Sequence, residues 1–496
     1  MGCRASNQPH VQNDIQYQLK IDEESDCDTQ LSIKYSSKLS NQEASQQKKN
    51  QISAWQDYEQ CMQEFSSISY LSLDLTKNNI GKNGALILAK GISECEQLVS
   101  LDLNLQYNNL GDQGIQNLRE GIQKCKNLRE LYLNLTYNNL KKDSPLHLGQ
   151  LISSFKQLIS LNLELRYDSI NENGAQILGE GISCCQNLSS LTIDFRYNEI
   201  TIFGTKNIIQ SISQCQNLTY LNLNLTSNQI EDEGSLNLGK DIQNCQRLQT
   251  FILDLTYNKI CFNSAYLMLE RIMKCPKLVN LNINLQQNNF GSINGETFQD
   301  KVLKSSSLQY LNIQLNKNIE KREIIIKNQT KIVLECENLI SLTLDCKDNN
   351  TNNIEFMNFQ FNGIDFTKCI NLNTFNINLT NNEINKDHPL LIFDYLSQLK
   401  NLRSLSLNLY GNHFKEIGCF YLRQDLPNIP NLSQLYLNLG LNYINDISLI
   451  YLQQGIFKCV NLKHLSMNIS INRINQKYML PRFIKAKRLV TFQIIE

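Results

Sequence analysis

Along most of this chain, apolar and polar residues alternate in a short phrase that returns every thirty residues. In one copy Leu101, Leu103 and Leu105 alternate with Asp102, Asn104 and Gln106, and Asn108 follows three positions after the last leucine. The first apolar residue of the phrase recurs at Leu71, Leu101, Leu131, Leu161, Leu191, Leu221, Phe251, Leu281 and Leu311. The step then slips to Leu342 and Phe375 and resumes at Leu405, Leu435 and Leu465. Alternation with period two predicts a strand with one apolar face. Downstream, Gly111-Asp112-Gln113-Gly114 reads as a turn. Ile115, Leu118, Ile122 and Cys125 then fall at helical spacing. Each copy is strand, turn, helix, and no single copy can bury both apolar faces. Stacked copies can, which predicts an α/β solenoid of about fourteen repeats of thirty residues with one continuous core.

Identical element order makes the strands parallel, with the helix as the crossover. Strands stack at about 4.8 Å while helices need roughly 8–10 Å, which predicts a bend on the order of 20° per repeat. The expected form is a horseshoe with a parallel inner sheet and outer helices.

Cys95 with Leu98, the Asn after the strand at Asn108, and Gly84-Ala85 with Leu88 or Gly174-Ala175 with Leu178 carry a resemblance. The chain resembles the leucine-rich repeat family, in its ribonuclease-inhibitor-like type, over roughly residues 67–496. The family phrase has two apolar strand positions before the Asn, whereas this chain has three. That predicts a strand longer by two residues and a wider inner face. The resemblance implies a non-enzymatic protein-binding scaffold that uses its concave face. Proteins that activate the Ran GTPase, and ubiquitin-ligase substrate adaptors, have similar repeats and are the alternative functions.

Composition adds three points. The 47 basic and 47 acidic residues balance, so no electrostatic footprint for nucleic acid is present. Nine of the sixteen cysteines, Cys95, Cys125, Cys185, Cys215, Cys245, Cys275, Cys336, Cys369 and Cys459, fall at the end of the helical segment. One thiol per repeat reads as a buried core row rather than a metal site, and implies a reducing, cytoplasmic setting. The five histidines are scattered, with no catalytic constellation, phosphate-binding loop or cofactor motif.

The ends differ from the array. Residues 1–50 are rich in Gln, Asn, Ser and Lys and predict a disordered tail. Residues 51–66 place Ile52, Trp55, Tyr58, Met62 and Phe65 at helical spacing, which predicts a capping helix. Leu489, Phe492 and Ile494 read as a last strand, behind a solvated basic edge of Arg482, Lys485, Lys487 and Arg488. Met1-Gly2-Cys3-Arg4-Ala5-Ser6 fits N-myristoylation at Gly2. One myristate binds a bilayer only marginally, so a stable tether needs a second chain, palmitate on Cys3. The other reading is a chance match in a polar tail.

The open face of the sheet holds the candidate site. An outward strand position reads Asp74, Asn104, Asn134, Glu164, Asp194, Asn224, Asp254, Asn284, Gln314, Asp345, Asn378, Asn408, Asn438 and Asn468, all carboxylates or amides. They predict either a ladder of hydrogen bonds between repeats or an acidic-polar groove. Arg166 and Arg196 are the only arginines in the next row, which otherwise holds Thr136, Thr226, Thr256 and similar residues. They read either as partners of Glu164 and Asp194 within the sheet or as a contact centre, with Tyr132 nearby. Tyr107, Tyr137, Tyr167, Tyr197 and Tyr257 form a rim that stiffens the strand ends or offers contact area. The candidate binding residues are Tyr132, Glu164, Arg166, Tyr167, Asp194, Arg196 and Tyr197. The array loosens over residues 318–375, with a shifted helix expected over Arg322–Cys336, as a hinge or a degenerate repeat.

Overall fold

A computed structural model describes residues 16–21, 31–36, 68–290, 301–318, 332–349, 364–384, 393, 396–474 and 490–495. The backbone divides into two compact units, Met1–Ser169 with Cys184–Leu188, and Ile170–Ser183 with Ser189–Glu496.

The first unit begins with two strands, β1 (Gln16–Ile21) and β2 (Leu31–Ser36), paired antiparallel. They lie in the segment for which composition predicts disorder. Local alternation (Tyr17, Leu19, Ile21 and Leu31, Ile33, Tyr35) marks both as strands despite the polar surroundings. The repeats follow as β3 (Tyr70–Asp74), α1 (Gly81–Ser93), β4 (Ser100–Asn104), α2 (Gly111–Ile122), β5 (Glu130–Asn134), α3 (Ser144–Ser153) and β6 (Ser160–Glu164). These strands are parallel and pair without slip, so that Leu71 faces Leu101, Leu101 faces Leu131, and Leu131 faces Leu161. The expected capping helix over residues 51–66 and the acylation site at Gly2 and Cys3 lie outside the described residues.

In the second unit α4 (Glu172–Ser183), β7 (Ser190–Asp194), α5 (Thr201–Ile212), β8 (Tyr220–Asn224), α6 (Glu231–Ile242), β9 (Thr250–Asp254), α7 (Phe262–Ile272) and β10 (Asn280–Asn284) continue the pattern. Next come β11 (Lys301–Lys304), β12 (Tyr310–Gln314), β13 (Ile332–Glu335), β14 (Ser341–Asp345), β15 (Ile364–Asp365), β16 (Thr374–Asn378) and β17 (Ser404–Asn408). Then follow α8 (Lys415–Asp425), β18 (Gln434–Asn438), α9 (Asp446–Lys458), β19 (His464–Asn468) and β20 (Thr491–Ile495). Strands β7, β8, β9, β10, β12, β14, β16, β17, β18, β19 and β20 pair in that order, all parallel and in register. Both units are leucine-rich repeat solenoids.

The core follows from the alternation. Leu101 and Leu103 are buried, as are Ile115, Leu118 and Ile122 on the helix. The third apolar residue does not lengthen the strand. Leu105 falls just past its end, fully buried, and its N–H still donates to the Asn134 carbonyl at 2.8 Å.

Buried asparagines close each coil. The Asn108 amide nitrogen donates to the Leu75 and Leu105 carbonyls at 2.7 and 2.9 Å. Its Oδ1 accepts from the Asn78 and Ile80 N–H groups at 2.9 and 3.2 Å. One side chain thereby satisfies four backbone groups of two coils, groups that would be costly to bury alone. Asn138, Asn258, Asn288, Asn412 and Asn442 repeat the arrangement. The cysteine row is also more than filler. The Cys125, Cys215 and Cys275 thiols donate to the Ile92, Ile182 and Ile242 carbonyls, at 3.4, 3.5 and 3.6 Å. Each thiol thus meets a carbonyl at the end of the preceding repeat's helix, where the helix leaves acceptors over. Burial pushes the Cys125 and Cys275 thiols up to about 12, so they are protonated.

The array departs from pattern on the side away from the main sheet. There β11, β13 and β15 form a three-stranded parallel sheet of their own, with Val302 facing Val333. The helix expected over Arg322–Cys336 is corrected by this: Ile332–Glu335 is a strand, and residues 319–331 lie outside the described ones. Consecutive Ile332, Val333 and Leu334 carry two β-branched side chains, which favour a pleated strand over a helix.

Candidate interaction surface

The outward strand residues are arranged differently from a ladder. Their main bond is local. Asn104 Oδ1 accepts from the Gln106 N–H, and the same turn forms at Asp74, Asn134, Asn224, Asp254, Asn284, Asn378, Asn408, Asn438 and Asn468. Carboxylates and amides occupy this row because both carry an oxygen that closes the turn at the strand's end. Bonds between repeats are secondary; Thr226 Oγ1 and Asn284 Nδ2 both donate to Asp254, at 3.1 and 3.0 Å.

In the first unit three candidate residues converge. The Tyr132 hydroxyl donates to Glu164 Oε1 at 3.1 Å, and the Arg166 guanidinium donates to Glu164 Oε2 at 3.0 Å. Burial, and then the Glu164 charge, push the Tyr132 hydroxyl up to about 12. Arg166 is paired with a carboxylate of its own repeat, yet its side chain stays 30% exposed. Tyr167 lies beside them on the rim. It stacks on Tyr137 at 4.3 Å between ring centroids, and Tyr137 stacks on Tyr107 at 4.6 Å. The Lys77 ammonium ends the stack, 5.1 Å from the Tyr107 centroid. All three tyrosines have positive φ, at 58°, 59° and 56°. A non-glycine residue pays to stand there, and offset stacking returns roughly 0.5–1.5 kcal/mol per pair.

Asp168, in the asparagine position of this repeat, is buried. Its Oδ1 accepts from the Asn138 N–H at 2.9 Å, and its carboxyl is pushed up to about 7 by desolvation.

In the second unit Arg196 grips Asp194. Its Nε lies 3.0 Å from both carboxylate oxygens, and a terminal nitrogen lies 2.7 Å from Oδ2. The Arg196 N–H closes the Asx turn on the same carboxylate at 3.1 Å. The Asp194 side chain is 9% exposed and that of Arg196 33%. The guanidinium is oriented by its partner and still has a solvated edge. Tyr197 is exposed on this unit's rim, again at positive φ.

A second asparagine row went unnoticed in the sequence. Asn127, Asn187, Asn338, Asn371, Asn401, Asn431 and Asn461 each donate to a backbone carbonyl of the preceding repeat, at 2.6–3.2 Å. The signal was present: an Asn stands two residues after the cysteine position, as in Cys125-Lys126-Asn127.

Among the described residues, no group of three or more His, Cys, Asp or Glu side chains is placed to hold a metal ion. Among them also, no helix is long and apolar enough to cross a membrane. No protein-family model matches this chain, and no curated protein matches it by sequence. Solved structures do match. An internalin from Listeria monocytogenes is 15% identical over 87% of this chain and 88% of that one, with a TM-score of 0.34. Internalin C2 from the same organism is 18% identical over 51% of this chain and 83% of that one, with a TM-score of 0.31. The leucine-rich repeat fold rests on the strand register and buried asparagines described above, not on these likenesses.

Proposed function

We propose that this chain is a non-enzymatic protein-binding scaffold whose contact residues lie on the open face and rim of the sheet. The observation that supports this most is that the guanidiniums of Arg166 in the first unit and Arg196 in the second are each oriented by a carboxylate at a strand end and stay about one-third exposed. Arginine and tyrosine supply much of the energy at protein contacts. Side chains already fixed by neighbours lose less freedom on binding. Tyr132 and Tyr167 add rigid amphipathic area in the first unit, and Tyr197 does so in the second.

The ribonuclease-inhibitor-like type suits the helices that follow β3 to β9, with Ala85 and Ala175 buried near their starts. The domain division we propose is a tail over residues 1–50, a cap over 51–66 and the repeat array over 67–496. Gly2 and Cys3 would carry myristate and palmitate and hold the scaffold on the cytoplasmic face of a membrane.

Proximity labelling by the full chain in its native cell tests the binding reading. A variant with Arg166→Gln and Arg196→Gln, which keeps an amide donor beside Glu164 and Asp194, should lose its labelled partners while still showing a cooperative melt. An unchanged labelled set would reject these residues as the contact. Separately, Gly2→Ala should move the protein from membrane to soluble fractions, and unchanged fractionation would reject the tether.

A further inference from the structure

The open face of the second unit has a chemistry unlike that of the arginine pairs. Across β10, β12 and β14 lies a shallow depression walled by Asn280, Asn282, Tyr310, Asn312, Ser341 and Thr343. Its floor is the backbone of Leu281 and Leu311, whose side chains point into the core. Every wall residue is an amide, a hydroxyl or a phenol. The nearest carboxylates on these and the adjoining strand, Asp254 and Asp345, stand at the strand ends and do not line the depression. Asp254 accepts from Thr256, Thr226 and Asn284; Asp345 accepts from Asn316 at 3.1 Å through Oδ2, and its Oδ1 is buried without a donor among the described residues.

The amides are held in place by their neighbours. Asn280 Nδ2 donates to Thr250 Oγ1 at 3.2 Å, and Asn312 Nδ2 donates to Asn282 Oδ1 at 3.1 Å. The second bond fixes Asn282 with its own amide N–H groups left to donate. It also leaves the carbonyl oxygen of Asn312, which is buried and has no donor among the described residues. A buried acceptor of this kind costs about 1–3 kcal/mol until something donates to it. Beside these amides the Tyr310 ring is 46% exposed, on a rigid strand.

From this juxtaposition we propose that the depression across β10, β12 and β14 binds a neutral saccharide. Each sugar hydroxyl is donor and acceptor at once, as are the amides and hydroxyls that line the wall. The Tyr310 ring offers an apolar face for the C–H face of a pyranose. No wall residue is charged, so anionic and cationic ligands alike gain no charge-assisted bond from the wall. A protein interface would place apolar and aromatic anchors at its centre, and here Tyr310 is the only such side chain. The inference is independent of the protein-binding reading: the residues, the strands and the occupant all differ.

The full chain titrated with a panel of neutral oligosaccharides of glucose, mannose and N-acetylglucosamine tests it. At least one should bind, with an affinity that changes less than about twofold between low and high salt, as befits an uncharged ligand. Tyr310→Ala and Asn282→Ala should each weaken that binding about tenfold or more. Tyr310→Phe keeps the ring and should retain most of the affinity, which separates lost stacking from lost folding. Arg166→Gln with Arg196→Gln should leave saccharide binding unchanged even where it abolishes partner capture. The proposal is overturned if no member of the panel binds at about 10 mM, or if Tyr310→Ala binds as tightly as the parent. It is equally overturned if only acidic saccharides bind, with strong salt dependence, or if a polypeptide partner alone maps to Tyr310.

Discussion

Within the second unit, the repeats over Ser190–Asn284 and those over Lys301–Asn378 share one front and have different backs. In the first stretch α5, α6 and α7 cover the sheet; in the second, among the described residues, β11, β13 and β15 stand in the helices' place. On the front, register and coil closure pass through unchanged. Leu281 faces Leu311, Leu311 faces Leu342, and Leu342 faces Phe375, although the sequence step grows from 30 to 31 and then 33 residues. The Asn288 N–H donates to Asn318 Oδ1 at 2.7 Å, and the Asn318 N–H donates to Asn349 Oδ1 at 2.9 Å. The front is set by alternation and by a buried side chain that binds two coils. The back is set locally, by whichever element its own residues favour. Where the two backings meet, between α7 and β11, lies an apolar void of about 70 Å³ lined by Phe262, Tyr266, Leu303 and Leu334 among others. A helix and a strand stand at different distances from a sheet, and the described residues leave the seam underfilled.

The largest expected effect would break the claim of a common front. Asn258→Leu removes bonds to the Leu225 carbonyl and to the N–H groups of Asn228 and Ile230. It should cost about 3 kcal/mol or more, at roughly 1–3 kcal/mol per orphaned group. Asn318→Leu in the strand-backed stretch should cost a similar amount. Chemical unfolding reads both, and a near-neutral Asn318 variant would show that the front is not shared.

Next comes the helical back. A Cβ on Gly239 would meet the Met268 backbone at 2.8 Å, so α6 and α7 pack too closely there for a side chain. Gly239→Val should destabilise by about 2–3 kcal/mol through overpacking. Val302→Ala in β11, at a 43% exposed position, should cost well under about 1 kcal/mol. Equal melting temperatures for the two variants would contradict the asymmetry.

A smaller effect depends on pH. In Asn138 the amide nitrogen donates to two carbonyls, and a carboxyl in that place can donate only when protonated. Asp168 is such a carboxyl, and its folded value near 7 lies above the ordinary 3.8. The nearby Arg166 is turned to Glu164. The folded state therefore holds the proton more tightly than the unfolded one. The stability it contributes is complete below about pH 3.8, and is lost as pH rises through about 7. Asp168→Asn should remove that slope and raise stability at pH 8 by on the order of 1–3 kcal/mol. Parallel pH–stability curves would reject the assignment. The smallest change concerns the seam, where Ala265→Val should fill part of the void and shift stability by less than about 1 kcal/mol; a loss larger than that, read by thermal melts, would mean the void is already closed.

The legibility of the sequence follows the same divide. Strand positions and the asparagine row stood out because both recur at a fixed step. The back of residues 301–366 did not. Ile332-Val333-Leu334 is a short apolar run, and such a run has no period that separates helix from strand. The outward carboxylate and amide row was visible as a row, but its work was misplaced. The residues close turns within a repeat, a geometry set by two residues of chain that spacing between repeats does not report. Arg166 and Arg196 were singled out as exceptions in their row, and the structure gives each a carboxylate two residues before it. The depression at Asn282 and Asn312 went unread because it consists of ordinary row members, and only the pairing of amides across strands makes it a site.

The account rests on coils joined by buried asparagines through regular and irregular repeats alike, and residue-resolved amide hydrogen exchange tests this most directly. The N–H groups of Asn228, Asn288 and Asn318, each accepted by the next repeat's asparagine, should be protected to a similar degree. Rapid exchange at Asn288 and Asn318 beside a protected Asn228 would contradict it.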